Sequence, residues 1–188
     1  MAQTSSLLAR FATERVASSP APSRLEQDVV ALFEQLRNPL LRYLRSLRIP
    51  PADGEEIVQE TFLLLFRHLR AGKPRDNLQA WLFGVSHNLA LKYYSRAGRE
   101  NVESPGLSDR PDFAPNPAER LEMLELQQNL LVVVDALPAQ DQRCLALRAE
   151  GLRYRDISRI LGISLGSVAN SLSRSLARLA HRAGEGKV

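Results

Sequence analysis

The stretch YRDISRILGISLGSVANSLSRSLARLAHR, residues 154–182, decides the reading of this chain. Two helical patterns meet in it at Gly162-Ile163-Ser164. The first places Ile157, Ile160 and Leu161 on one side. The second repeats Leu165, Val168, Leu172, Leu176 and Leu179 at intervals of three and four, one apolar stripe down a helix. Gly162 can take positive φ and close the first helix without a Cβ penalty. Ser164 can accept a bond from an orphan amide and open the second. Two helices joined by a three-residue turn containing glycine form a helix-turn-helix, whose second helix enters the major groove of DNA.

Away from that stripe the second helix offers Ser167, Asn170, Ser171, Arg174, Ser175 and Arg178. Small side chains allow close approach to DNA, and Asn and Arg read base edges. An amphipathic hairpin on a helical bundle would show the same stripe. The turn, the small residues and the lack of any acid between Ser164 and Arg182 favour DNA.

Composition agrees with this without deciding it. The chain has 188 residues, 44% hydrophobic and 24% charged, which suits one large or two small globular domains. The net charge is +4. From Pro138 onward nine basic residues face four acidic ones, so the C-terminal unit carries the whole excess. Cys144 stands alone and reads as a small core filler. Three dispersed histidines give no metal-ligand spacing, and no cofactor site is expected. Arg10, Glu14 and Arg15 interrupt Leu7, Leu8 and Phe11, so the N-terminus does not read as a signal peptide, and no apolar run reaches membrane length. The expected compartment is the cytoplasm.

Upstream the pattern is helical throughout, with no strand-like alternation. Residues 1–23, rich in Ser, Ala and Pro, read as a loose tail. Residues 24–47 carry two leucine-rich stripes separated by Asn38-Pro39, where a kink or break is expected. In residues 52–69, Asp53 reads as an N-cap and Glu55 and Glu56 complement the helix dipole. Ile57, Val58, Phe62, Leu65 and Leu69 would be buried there, while Glu56, Gln59, Glu60 and Leu63 line another side. Residues 78–96 follow a cap at Asp76 or Asn77, with Leu78, Trp81, Leu82, Val85 and Leu89 as the core stripe. Trp81, Asn88, Lys92 and Ser95 share an edge, followed by Tyr93, Tyr94, Arg96 and Arg99. Interleaved aromatic and basic residues suit unstacked bases; a core tryptophan with surface tyrosines gives the same pattern. Residues 100–117, with four prolines in ESPGLSDRPDFAPNP, read as a linker. Residues 118–188 form a second helical unit. The fold expected is all-α: two small helical domains, 24–99 and 118–188, joined by a flexible linker, the second holding the helix-turn-helix.

Taken together, the two halves resemble the extracytoplasmic-function (ECF) sigma factors of bacterial RNA polymerase, which keep only regions 2 and 4 of the sigma family. Ile57-Val58-Gln59-Glu60-Thr61-Phe62 is similar to the family's V-Q-E-x-F helix. The run from Trp81 to Ala90, WLFGVSHNLA, is similar to its W-L-x-x-I-A-x-N-x-A helix. Leu137-Pro138, Tyr154-Arg155-Asp156-Ile157 and Gly162-Ile163-Ser164-Leu165-Gly166-Ser167-Val168 are similar to its L-P…Y-x-E-I-A…G-x-S-x-G-T-V block.

The resemblance implies roles. Glu56, Gln59, Glu60 and Leu63 would dock on core RNA polymerase, on the clamp of the β′ subunit, with β as a further contact. Trp81, Asn88, Lys92, Tyr93, Tyr94 and Arg96 would serve the −10 element, with Asn88 near a flipped base. Arg67, Arg70, Lys73 and Arg75 are candidates for backbone contacts. Ser167, Ala169, Asn170, Ser171, Arg174 and Arg178 would meet the −35 element of promoter DNA. It implies an anti-sigma factor as partner, a monomer when free, no membrane insertion, no cofactor or metal, and no catalysis. Five positions depart from the pattern: Glu56, where Asp is usual; Gly84, where a basic or bulky residue is frequent; Ser158, where Ala is usual; and Ala169 and Ser173, where larger side chains are common. The alternatives are a stand-alone helix-turn-helix regulator, which needs a two-fold dimer and a palindrome, and an enzyme with a DNA-targeting tail, for which residues 24–100 offer no nucleophile with its helpers.

Overall fold

The structure is a computed structural model that describes residues 23–97 and 130–185. The tail expected over 1–23, Ser23 apart, the linker expected at 100–117 and most of the helix expected after Ala118 lie outside the described residues. Among the described residues the chain forms α1 (Arg24–Ser46), α2 (Pro51–Arg70), α3 (Leu78–Ala97), a helical turn at 130–135, α4 (Ala139–Ala149), α5 (Tyr154–Leu161) and α6 (Leu165–Glu185), and no strand.

Ser23 starts α1 with a capping box: its hydroxyl accepts from Glu26 N, and its own amide donates to the Glu26 carboxylate at 2.7 Å. The expected break at Asn38-Pro39 does not occur; α1 runs through it. Pro39 forfeits one intrahelical bond, but the helix is fixed on both sides of it by Leu36, Leu40, Tyr43 and Leu44, all buried. Tertiary packing there outweighs the local cost.

In α2 the expected cap at Asp53 is also displaced. The helix begins two residues earlier, with Pro51 in the first turn, where its fixed φ is pre-set and its missing amide costs nothing. Asp53 falls inside the first turn and accepts a bond from Tyr93 Oη at 3.1 Å. The buried face of α2 is as expected: Ile57, Val58, Phe62, Leu65 and Leu69. Phe62 meets Phe33 of α1 edge-on, centroids 5.0 Å apart.

Asn77 caps α3. It sits at φ 51°, a region asparagine tolerates, and its side-chain oxygen accepts from Ala80 N. The buried face of α3 is rotated from the expected stripe. Leu82 and Leu89 are buried, but Trp81 and Val85 are half-buried, and Phe83, Ser86, His87 and Ala90 complete the core. His87 belongs there because Tyr43 Oη bonds its Nδ1 at 2.8 Å, while Phe83 packs edge-on against Tyr43.

The two halves are docked on each other. Arg42 of α1 grips the Glu150 carboxylate with Nε and Nη2 at 2.8 and 2.7 Å. Gln79 donates to the Glu150 carbonyl at 2.9 Å, and Asn77 donates to Asp156 Oδ1 at 2.8 Å. Between these polar ties Ile160 of α5 lies over Gly84, where an added Cβ would stand 3.7 Å from Ile160 Cγ1. That is an ordinary contact, so a methyl would fit at Gly84, and the glycine keeps any longer side chain out of the approach of the first helix of the turn motif to α3.

Candidate nucleic-acid interface

The turn between α5 and α6 is built as its residues require. Gly162 takes φ 66° and ends α5. Ile163 N returns to Ser158 O at 3.2 Å. Ser164 Oγ accepts from Ser167 N at 3.1 Å and meets Ser167 Oγ at 2.9 Å. Ser158 has its own use: its hydroxyl donates to Ile163 O at 2.6 Å, locking the turn from within. An alanine could not make that bond.

The faces of α6 differ from the sequence reading. Val168 and Leu172 are buried, but Leu165 and Leu176 are 48% and 56% exposed. Ser171 and Ser175, expected to face outward, are fully buried. Small residues are what a close crossing with α4 admits. Their hydroxyls are satisfied locally, Ser175 Oγ on Ser171 O at 2.8 Å and Ser171 Oγ accepting from Gln140 at 3.4 Å. Ser171 is therefore a packing residue and does not stand on the reading face.

Arg174, expected to read DNA, is committed elsewhere in this conformation. Its Nε and Nη2 span the carboxylate of the buried Asp141 at 3.2 and 2.8 Å. That pairing holds the Asp141 carboxyl below its usual range and raises the Arg174 guanidinium. Arg174 itself stays half exposed, and beside it Gly166, Asn170, Ser173, Ala177 and Arg178 are exposed, with Ser167 and Ala169 half-covered at the margin.

On α2, Glu56, Gln59, Glu60 and Leu63 are all exposed and share one face. Leu63 is 49% exposed, an apolar centre among acids. Glu55, one residue away in sequence, is half-buried and pairs with Arg37 of α1, so it stands apart from the acids left unpaired, among the described residues, on the exposed face.

The residues expected at the −10 element are not all brought together. Asn88 and Lys92 are exposed on one edge of α3, with Trp81 further back, half-buried and stacked on His68 at 4.7 Å. Arg96 is exposed in the last turn. Tyr93 is half-buried and Tyr94 exposed, and their hydroxyls are engaged within the fold, Tyr93 Oη by Asp53 and Tyr94 Oη by Leu47 O. Burial pushes both phenols up. Of the candidate backbone contacts, Arg67, Arg70 and Lys73 are exposed, while Arg75 is paired with Asp28 at 2.6 Å. Sequence reasoning missed the Tyr43–His87 pair and the Arg42–Glu150 clamp; neither has a local signal, since the partners are 44 and 108 residues apart. Among the described residues no cluster of three or more His, Cys, Asp or Glu could hold a metal, and no helix is long and apolar enough to cross a membrane.

These two surfaces, a presented acidic helix and a helix-turn-helix, are what the known families match. Residues 32–100 match Sigma-70 region 2 and residues 127–179 match Sigma-70, region 4. The chain belongs to the sigma-70 family, with its regions 2 and 4. The relatives place it in the ECF branch of that family. ECF RNA polymerase sigma factor SigE of Mycolicibacterium smegmatis is 33% identical over 130 residues, 68% of this chain and 50% of that protein. ECF RNA polymerase sigma-E factor of Escherichia coli K12 is 27% identical over 145 residues, 70% of this chain and 74% of that one. The match thus spans half the length of the first relative. Among solved structures, the sigma factor RpoE of Bartonella quintana, in complex with the anti-sigma factor NepR, superposes with a TM-score of 0.65 at 21% identity, covering 84% of this chain and 98% of that one. CnrH, in complex with the cytosolic domain of CnrY, gives 0.54 at 23% identity, covering 82% and 86%. At these identities the structural likeness speaks for the fold.

Proposed function

We propose that the protein is a dissociable specificity subunit of RNA polymerase, cytoplasmic and without catalytic activity of its own. The Glu56, Gln59, Glu60 and Leu63 face docks on core enzyme at the β′ clamp. Asn88 and Lys92 meet the opened −10 strand, and α6 enters the major groove at the −35 element. The segment 100–117 tethers the two modules, and tethering raises effective concentration at paired sites. The observation that carries this reading is the exposed stripe on α2, because among the described residues no hydrogen bond or ion pair engages its three polar or acidic side chains around an exposed leucine. A free-standing helix-turn-helix regulator would leave that stripe without a task.

The docked arrangement fits a resting form. Elements named −10 and −35 lie about 25 base pairs apart, roughly 85 Å along B-DNA. Helices in contact through Gly84 and Ile160 cannot span that distance, so α5 must leave α3 before both elements are engaged. An anti-sigma factor that keeps the halves together would hold the protein inactive; the structural neighbour RpoE, solved with the anti-sigma factor NepR, supports such a partner.

The test is run-off transcription with purified core enzyme on a promoter library, together with co-purification. A promoter-dependent transcript is expected only when the protein is added. No transcript and no association with core would refute the proposal.

A further inference from the structure

We infer that Asn170 is the residue through which α6 discriminates a base, and that the base is adenine. The inference rests on the proposed function, since it concerns the duplex that α6 would meet. In a helix-turn-helix the first turns of the second helix reach base edges. Over the first three turns of α6 the structure removes one candidate after another. Ser171 and Ser175 are buried. Arg174 is held in a two-point bond by Asp141. The Ser167 hydroxyl is engaged with Ser164. Ser173 is exposed, but a hydroxyl accepts or donates alike and separates bases poorly.

Asn170 remains. It is exposed, five residues into α6, about 8 Å from its start. Its amide has no partner among the described residues. It is flanked on the same face by Gly166, Ser173 and Ala177; the one bulky neighbour there, Arg174, is half exposed but tied back to Asp141, so the helix can approach the groove floor closely around Asn170. A carboxamide there offers one donor and one acceptor side by side, the complement of adenine N7 and N6. Arg178 stands thirteen residues into the helix, about 20 Å along its axis, where it reaches phosphates rather than base edges.

The experiment is selection of transcribed promoters from a library randomised through the upstream element, using reconstituted holoenzyme carrying the wild-type protein, Asn170→Ala, Arg174→Ala or Arg178→Ala. The wild type is expected to prefer adenine at one position by about 5- to 150-fold. Asn170→Ala should abolish that preference and leave the other positions as they were. Arg178→Ala should lower output across all sequences alike. Thermal melts check that Asn170→Ala folds, which its exposure predicts. If Asn170→Ala leaves every upstream preference intact while the holoenzyme still initiates, the inference falls and the proposed function stands. If Arg174→Ala, still folded, instead erases a single-base preference, the inference falls as well. Absence of promoter-dependent transcription with the wild type would overturn the function itself, and the inference with it.

Discussion

Gly84 offers the sharpest test of the docked arrangement, because two substitutions there should act in opposite ways. Gly84→Ala adds one methyl at a point where the nearest outside atom, Ile160 Cγ1, would be 3.7 Å away, an ordinary contact. It also replaces glycine in the interior of α3, which is worth about 1 kcal/mol in helix stability. With no steric cost against it, the variant should gain about 1 kcal/mol, or roughly 2–4 °C in melting temperature for a chain of this size. Gly84→Phe points a rigid ring along the same vector into the side chain of Ile160. The ring cannot be accommodated while α5 rests on α3. The halves should part, with loss of the Arg42–Glu150, Asn77–Asp156 and Gln79–Glu150 bonds. Each half keeps its own helix packing, so separation need not mean unfolding. Energy transfer between one dye on α2 and another on α6 reads the distance, and circular dichroism reads the fold. The reasoning is refuted if Gly84→Phe stays folded at an unchanged dye separation, or if Gly84→Ala melts below the wild type. If closure competes with use, Gly84→Phe should also bind core polymerase more tightly, by the inverse of the open fraction in the wild type.

Three further expectations concern the N-terminal half. Leu63→Lys should abolish binding to core polymerase in a pull-down while changing stability by less than about 0.5 kcal/mol, since the side chain is half exposed. His87 is held below its ordinary value by burial, with Arg143 adding to the effect. The unfolded chain therefore takes the proton first. The contribution of His87 to stability is full above the ordinary histidine pKa of about 6.5 and is lost as pH falls through it. Melting temperature followed from pH 8 to 5 should drop for the wild type and drop less steeply for His87→Gln; equal slopes would exclude the assignment. Tyr43→Phe, which leaves His87 Nδ1 without its bond, should cost about 1–3 kcal/mol.

Much of this molecule is legible before its coordinates. Gly162 and Ser164 announce the turn because each does a local job, one supplying positive φ and the other a cap. The α2 stripe is equally plain, since Glu60 lies too far into the helix to serve its dipole. Other features depend on what lies opposite. Along α6 the leucines suggested one face, yet Leu165 and Leu176 are outside and two serines are inside. Leucine spacing reports where apolar area lies, whereas a tight helix crossing selects for size. Serine is small, and its hydroxyl can be satisfied by the carbonyl four residues back, as Ser175 shows. Pro39 misled for a related reason: the breaker rule is local, and the leucines around it are held by other helices. The roles of Arg174 and Glu150 follow from partners 33 and 108 residues away, which spacing along a chain cannot reveal.

Cys144 has so far been only a buried thiol in α4. It sits beside Ser171 and Asp141, under the part of α6 that holds Arg174, and burial pushes its pKa up. It therefore resists alkylating reagents as long as the packing around α4 and α6 stays closed. The chain thus carries its own chemical clock. Labelling of this single thiol times the loosening of the packing around α4, and comparing it with the dye distance tells whether that loosening accompanies the parting of the two halves.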